Sequence, residues 1–149
     1  MRIGEICTTS TIYCTRDDSV QDAALKMRQH HVGDLVVIDQ PDDDKLPVGI
    51  LTDRDIVVSV IALGLDPASL LVGDIMSDEL DTCGMDDDVY ATIEHMHRRG
   101  VRRLPVIDGN GRLAGIVSAD DLLGFLAEEM SELARIAPHQ QAQERRARH

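Results

Sequence analysis

The chain contains no tryptophan, one phenylalanine and two tyrosines in 149 residues, so it lacks the aromatic platforms on which single-stranded nucleic-acid binders stack bases. Positive charge is also scarce: 15 Lys and Arg against 27 Asp and Glu give a formal charge of −12, which opposes a phosphate backbone. Nucleic acid is therefore not an expected partner. Cysteine is limited to Cys7, Cys14 and Cys83, an odd number with no Cys-x-x-Cys pair. Neither a disulfide framework nor a metal knuckle is indicated, and a reducing compartment fits. The longest uncharged helical stretch, Ile56 to Leu65, is half of the roughly 20 residues that cross a bilayer. The first residues also lack the basic-then-apolar pattern of a signal peptide. These absences lead to the expectation of a soluble, cytoplasmic protein without membrane contact.

What the chain does have is an internal repeat. Ile3-Gly4-Glu5-Ile6-Cys7 recurs 69 positions later as Val72-Gly73-Asp74-Ile75-Met76, and the same offset takes Val20 to Val89, Met27 to Met96 and Leu35-Val36-Val37-Ile38-Asp39 to Leu104-Pro105-Val106-Ile107-Asp108. The offset then drops to 66, laying Gly49-Ile50-Leu51-Thr52-Asp53-Arg54-Asp55 over Gly115-Ile116-Val117-Ser118-Ala119-Asp120-Asp121. The three extra residues of the first copy fall in the polar run Gln40 to Lys45, where a surface turn tolerates length. The division expected is repeat one at 1–65, a linker at 66–71, repeat two at 72–132 and a tail at 133–149. The tail carries Arg135, Arg145, Arg146 and Arg148 against Glu144, a net +3 on a chain of −12, leaving −15 for the rest.

Each copy opens with a short extended stretch, Thr11 to Thr15 or Leu80 to Cys83. Ser19 or Asp88 then caps a helix with an apolar face: Val20, Ala23, Ala24 and Met27 in one, Val89, Ile93 and Met96 in the other. Leu35 to Ile38 and Val48 to Leu51 read as buried strands, matched by Leu104 to Ile107 and Leu113 to Val117. A second helix begins at Thr52 or Ser118. A unit of about sixty residues with one apolar sheet face is marginal alone, so the copies are expected to bury those faces on each other. The fold class is thus α+β, two pseudo-twofold-related β-α-β-β-α repeats packed through their sheets.

The motif Gly-hydrophobic-x-Thr/Ser-x-x-Asp ends each copy at a strand-to-helix junction. One reading is a capping box, with Thr52 or Ser118 accepting from an orphan amide and Asp55 or Asp121 reaching back. The other is an anion site, in which free amides and the positive helix end attract phosphate and a carboxylate one turn on takes ribose hydroxyls. Both can hold at once. The duplicated pattern resembles a tandem pair of cystathionine-beta-synthase (CBS) domains, the Bateman module, over about residues 1–132.

That resemblance implies binding of an adenine nucleotide, AMP, ADP, ATP or NAD and sometimes S-adenosylmethionine, in composite clefts between the repeats. It implies that Asp55 and Asp121 hold ribose and that Thr52 and Ser118 hold phosphate. The principal cleft would comprise Thr52, Asp53, Arg54 and Asp55 from repeat one. Repeat two would add Thr82, Cys83, Gly84, Arg102, Arg103 and Ile116, with Arg103 on the phosphate. A permanently charged guanidinium that forks onto two oxygens suits that task. The second cleft would comprise Thr15, Asp34 and Ile50 with Ser118, Ala119 and Asp121. There Asp34 stands where the other copy has Arg103, and Val36 replaces Pro105. A carboxylate facing phosphate is unfavourable, so the second cleft is expected to be weak, vacant or occupied by an uncharged moiety such as adenosine.

Arg98, Arg99, Arg102 and Arg103 form a basic cluster in an acidic chain, readable either as a helix end complementing its dipole or as a funnel for phosphate. No metal site is expected: His30-His31 and His95/His97 lack the i+4 spacing of a metal helix, and the acidic pairs Asp53/Asp55 and Asp120/Asp121 suit a first helical turn. Cys14 and Cys83, equivalent in the repeat, read as small buried hydrophobes in matching strands that can approach each other. Met27 and Met96 read as core. No nucleophile and base can be assembled, so no catalysis and no catalytic cofactor are expected. Leu122, Leu123, Leu126, Met130 and Leu133 form an apolar stripe for a partner subunit or the module itself, and Pro138 is expected to end that helix. The function expected is a nucleotide sensor, a flat homodimer in its family, acting through its assembly state or a separate effector protein. The alternatives are a ligand-independent interaction scaffold whose motifs are only caps, and a minor hydrolase or metal-dependent activity using the paired aspartates.

Overall fold

The computed structural model describes residues 1–39 and 45–148; the extra length assigned to Gln40–Lys45 lies, apart from Lys45, outside them. Two three-stranded sheets form, ordered β1-β2-β3 and β4-β5-β6. The first joins β1 (Tyr13–Thr15), β2 (Asp34–Ile38) and β3 (Pro47–Thr52); the second joins β4 (Cys83–Gly84), β5 (Arg103–Ile107) and β6 (Leu113–Ser118). In each, the first pair is parallel and the second antiparallel, and the register slips once, between Val37 and Ile38 and again between Val106 and Ile107. The repeat thus extends to the irregularity. Pro105 sits in a middle strand, where it is tolerated because β4 pairs only with Val106 and Ile107 and leaves that edge of β5 unpaired.

Helices α1 (Val20–His30) and α4 (Val89–Arg99) are capped as expected: the Asp22 amide donates to Ser19 Oγ at 3.0 Å and the Ala91 amide to Asp88 Oδ2 at 3.1 Å. Both end in the left-handed conformation, at His31 (φ 54°) and its equivalent Gly100 (φ 65°). The second helices differ. In repeat one, α2 (Asp53–Ile56) runs into one turn of π-helix, Val57–Ile61, and stops; in repeat two, α5 (Ala119–Ala134) continues for 16 residues.

Side chains alternate across a strand, and β2 is buried on both faces. Leu35 and Val37 join Val20, Met27, Leu51 and Val60 in the core of repeat one. Val36 and Ile38, fully buried but outside either core cluster, take the opposite face. Burial of those two side chains is worth roughly 1.5–3 kcal/mol each, which a single repeat with that sheet face exposed would forgo.

The repeats also trade their leading segments. Ile3 packs in the core of repeat two with Val89, Leu104 and Phe125, whereas its equivalent Val72 packs in that of repeat one. The Gly4 amide donates to Met85 O at 2.8 Å and the Gly73 amide to Arg16 O at 3.0 Å. Thr8 pairs with Ile116 of β6, and Ser77 with Ile50 of β3. In space, each core is completed by a segment that the chain order assigns to the other repeat.

The helix α3 (Val72–Ile75) is part of that exchange. At the C-terminus the expectation fails: Pro138 does not end a helix but lies in the first turn of α6 (Ile136–Ala147), where its missing N–H is not needed. The break falls instead at Arg135, between α5 and α6.

Candidate functional site

Both motifs form complete capping boxes. The Asp55 amide donates to Thr52 Oγ1 at 3.0 Å and the Thr52 amide to Asp55 Oδ2 at 2.9 Å; the Asp121 amide donates to Ser118 Oγ at 3.1 Å and the Ser118 amide to Asp121 Oδ2 at 2.9 Å. In this geometry each hydroxyl acts as an acceptor and keeps its own proton to donate, and each carboxylate keeps Oδ1 to accept. The Asp53 amide donates to Gly33 O at 2.9 Å and the equivalent Ala119 amide to Arg102 O at 2.7 Å, fixing each helix start against the neighbouring strand entry.

The motif glycines are explained by the traded segments. A Cβ at Gly49 would stand 2.5 Å from Ser77 O, and one at Gly115 would stand 2.6 Å from Thr8 O. Only a residue without a side chain lets these backbones meet.

Two clefts open at the junction of the repeats. The first, about 490 Å³, brings together Ile50, Thr52, Arg54 and Asp55 of repeat one with Ser77, Glu79, Leu80, Asp81, Gly100, Val101, Arg102 and Arg103, and reaches Asp34. The second, about 270 Å³, is lined by Thr8, Ser10, Thr11, Ile12, His31, Val32, Gly33, Asp34, Arg103, Ile116, Ser118 and Asp121. Small-molecule sites usually measure about 300–1,000 Å³, which places the first within the ordinary range and the second just below it.

The structure gathers Thr52, Arg54, Asp55, Arg102 and Arg103 in the first cleft, and Asp34, Ser118 and Asp121 in the second. The two isoleucines are exchanged relative to the expectation: Ile50 lines the Thr52 cleft and Ile116 the Ser118 cleft. The reason is the strand period of two, which puts Ile50 on the face of Thr52 and Ile116 on that of Ser118. Thr82, Cys83 and Gly84 are not in the first cleft. Thr82 and Cys83 border a separate depression beside Asp87, Asp88 and His95, and the Gly84 amide donates to Asp87 Oδ2 at 2.8 Å. Thr15, the equivalent of Gly84, is likewise held away, its amide donating to Asp18 Oδ2 at 3.0 Å. Asp53 lies against Gly33, and Ala119 faces an apolar groove between α4 and α5.

Residues that sequence reasoning missed come from the traded segments. Ser77 to Asp81 supply the wall assigned above to Thr82–Gly84, and Thr8 to Ile12 supply the wall assigned to Thr15. The demand of Gly49 and Gly115 for close backbone approach was the signal for such segments, but not for which stretch of chain fills them.

The electrostatics also differ from a simple basic funnel. Arg99 Nε binds Asp81 Oδ2 at 2.7 Å and Arg103 Nε binds Asp34 Oδ2 at 2.7 Å, while the Arg102–Asp120 contact, at 3.7 Å between exposed side chains, is weak. Arg54 makes no ion pair among the described residues. Burial pushes the Asp34 carboxyl above its ordinary value; Arg103 opposes this and Asp53 adds to it. In the second cleft, Thr11 Oγ1 is shielded from solvent without a hydrogen-bond partner.

Cys14 and Cys83 do not meet: they lie in the cores of different repeats. Burial pushes both thiols up to about 12. Among the described residues no cluster of His, Cys, Asp and Glu is arranged to hold a metal, and no helix is long and apolar enough to cross a membrane.

The profile of the CBS domain family matches residues 3–61 and 72–128. The chain is 36% identical over 121 residues to protein MK0525 of Methanopyrus kandleri, covering 81% of this chain and 60% of that one, so it spans three fifths of that relative's length. Hypoxic response protein 1 of Mycobacterium tuberculosis is 37% identical over 111 residues, covering 74% of this chain and 75% of that one. A solved structure of Hypoxic Response Protein I with two coordinated zinc ions superposes with a TM-score of 0.72 at 31% identity, over 83% of this chain and 97% of that one. The CBS domain pair of protein MJ0100, solved with 5-methylthioadenosine and S-adenosyl-L-methionine, gives a TM-score of 0.73 at 23% identity, over 87% and 98%, and supports the fold.

Proposed function

Because the chain belongs to the CBS domain family, with one match in each half, we propose that it is a regulatory module that binds an adenine nucleotide in the Thr52 cleft. Occupancy is reported through the geometry of the repeats or their assembly. The observation that carries this is the Thr52–Asp55 capping box at the mouth of a cleft to which the other repeat contributes Arg103. The box leaves one hydroxyl proton for a phosphate oxygen and one carboxylate oxygen for a ribose hydroxyl, while Arg54, Arg102 and Arg103 surround the phosphate position. Ile50, Leu80 and Val101 offer aliphatic surface to the base. AMP, ADP, ATP, NAD and S-adenosylmethionine all present this combination in part; the binding of adenosine-derived ligands by the MJ0100 pair supports the class. The reading assigns the chain no catalytic step and no metal.

A ligand bridging Thr52 and Arg103 ties the two repeats together, and only its differential affinity for two arrangements can drive a switch. The output passes to a second copy or a separate effector protein. A homodimer is favoured by the apolar side chains left in solvent on α5 and α6, Leu123 (62% exposed), Met130 (70%), Leu133 (68%) and Ile136 (59%).

The test is a melting scan with AMP, ATP, NAD and S-adenosylmethionine. A ligand at about 100 times its Kd adds roughly 2.7 kcal/mol of stability, and Thr52→Ala with Asp55→Asn is expected to abolish the shift. No shift with any of the four overturns the reading and leaves the interaction scaffold, which the fully formed capping boxes also satisfy.

A further inference from the structure

We propose that Arg103 is one anion-binding group shared between the two clefts, so that the module holds a single anionic nucleotide at a time and Asp34 limits the other site to a nucleoside without phosphate. This rests on the nucleotide-binding reading above and adds to it a stoichiometry and a rule of selection.

Arg103 and Asp34 both line both clefts. Their contact is a 2.7 Å charge-assisted bond from Nε to Oδ2. The Asp34 side chain is 11% exposed and that of Arg103 45%, so the carboxylate is fixed in the wall and the guanidinium is the part that reaches a ligand. Arg103 is the only lysine or arginine among the described residues lining the Ser118 cleft, whereas the Thr52 cleft also has Arg54 and Arg102.

When a phosphate in the Thr52 cleft engages the free nitrogens of Arg103, the Ser118 cleft faces its ligand with the carboxylates of Asp34 and Asp121. Like charges at that range reject a second phosphate. Should a phosphate draw Arg103 toward Ser118 instead, the Thr52 cleft loses one of its three guanidiniums. By linkage each anion lowers the affinity of the other by the same factor. A nucleoside escapes this penalty, because it needs only a carboxylate acceptor for its ribose and a neutral hydrogen-bond partner. Asp121 Oδ1 and the Ser118 hydroxyl proton, both left over by the capping box, provide these.

Equilibrium dialysis of the full chain against AMP and against adenosine tests the proposal. The wild type is expected to hold one AMP per chain but two adenosines, and an AMP-saturated chain to take up one adenosine more. Asp34→Asn, which releases Arg103 from its carboxylate, is expected to bind AMP about tenfold more tightly with the count still one. Asp34→Arg, which gives the second cleft its own guanidinium, is expected to bind two. Two AMP of similar affinity on the wild type, or unchanged AMP affinity in Asp34→Asn, overturns the shared group while nucleotide binding stands. Failure of the wild type to bind either compound overturns both.

Discussion

Asp34 and Arg103 occupy the same position in the two repeats and are bonded to each other at 2.7 Å. One copy pairs Asp34 with Thr52 across its sheet, the other pairs Arg103 with Ser118. The pseudo-twofold relation therefore passes between two residues of opposite charge. The asymmetry that distinguishes the clefts is centred on this difference in the duplicated sequence, and Arg102 opposite Gly33 and Arg54 opposite Asp120 add to it.

The pair should be weakly stabilising at best. Burial, the largest influence on Asp34, raises its carboxyl above the ordinary 3.8 despite Arg103, so the folded chain holds that proton more tightly than the unfolded one. The stability contributed by this group is therefore complete below about 3.8 and is lost as pH climbs to the raised value. Asp34→Asn is expected to remove that slope and to equal or exceed the wild type at neutral pH by up to about 1 kcal/mol. Urea unfolding of both proteins across this range checks it; a variant clearly weaker at neutral pH would show that the pair is net stabilising.

The two capping hydroxyls should be equal in stability and unequal in binding. Thr52→Ala and Ser118→Ala each remove one cap bond of about 3 Å and are expected to cost about 1 kcal/mol in denaturant melts. Calorimetric titration with AMP should show a large loss only for Thr52→Ala. Equal losses in affinity would count against a principal cleft at Thr52.

Gly49→Ala and Gly115→Ala are expected to destabilise by about 1–3 kcal/mol, because the added Cβ would meet a backbone oxygen at 2.5 or 2.6 Å. Amide hydrogen exchange should show the loss concentrated in the traded segments, near Ser77 in one variant and Thr8 in the other. Protection unchanged there would mean that the bridges to β3 and β6 are not what the glycines serve.

Thiol chemistry should separate Cys7 from the other two. Cys14 and Cys83, 1% and 5% exposed and pushed up to about 12, are expected to resist alkylation in the folded chain. Cys7, half-buried and raised less, should react first, with all three reacting after unfolding. Mass spectrometry of timed iodoacetamide reactions reads the order directly.

Much of the fold is legible in the 69-residue repeat, in the caps at Ser19, Asp88, Thr52 and Ser118, and in the apolar runs of β2 and β5, because these depend on periods and spacings within one stretch of chain. So are the residues at the helix starts of the clefts. The sequence alone also determines the charge contrast between Asp34 and Arg103, since it is a difference between matched positions. Which segment completes each core, and therefore that Ser77 and Asp81 face Thr52 while Thr82 and Cys83 do not, was decided only in three dimensions. A stretch such as Ile3 to Cys7 carries the same apolar pattern whichever sheet receives it, and the choice depends on long-range backbone pairing that no local period records.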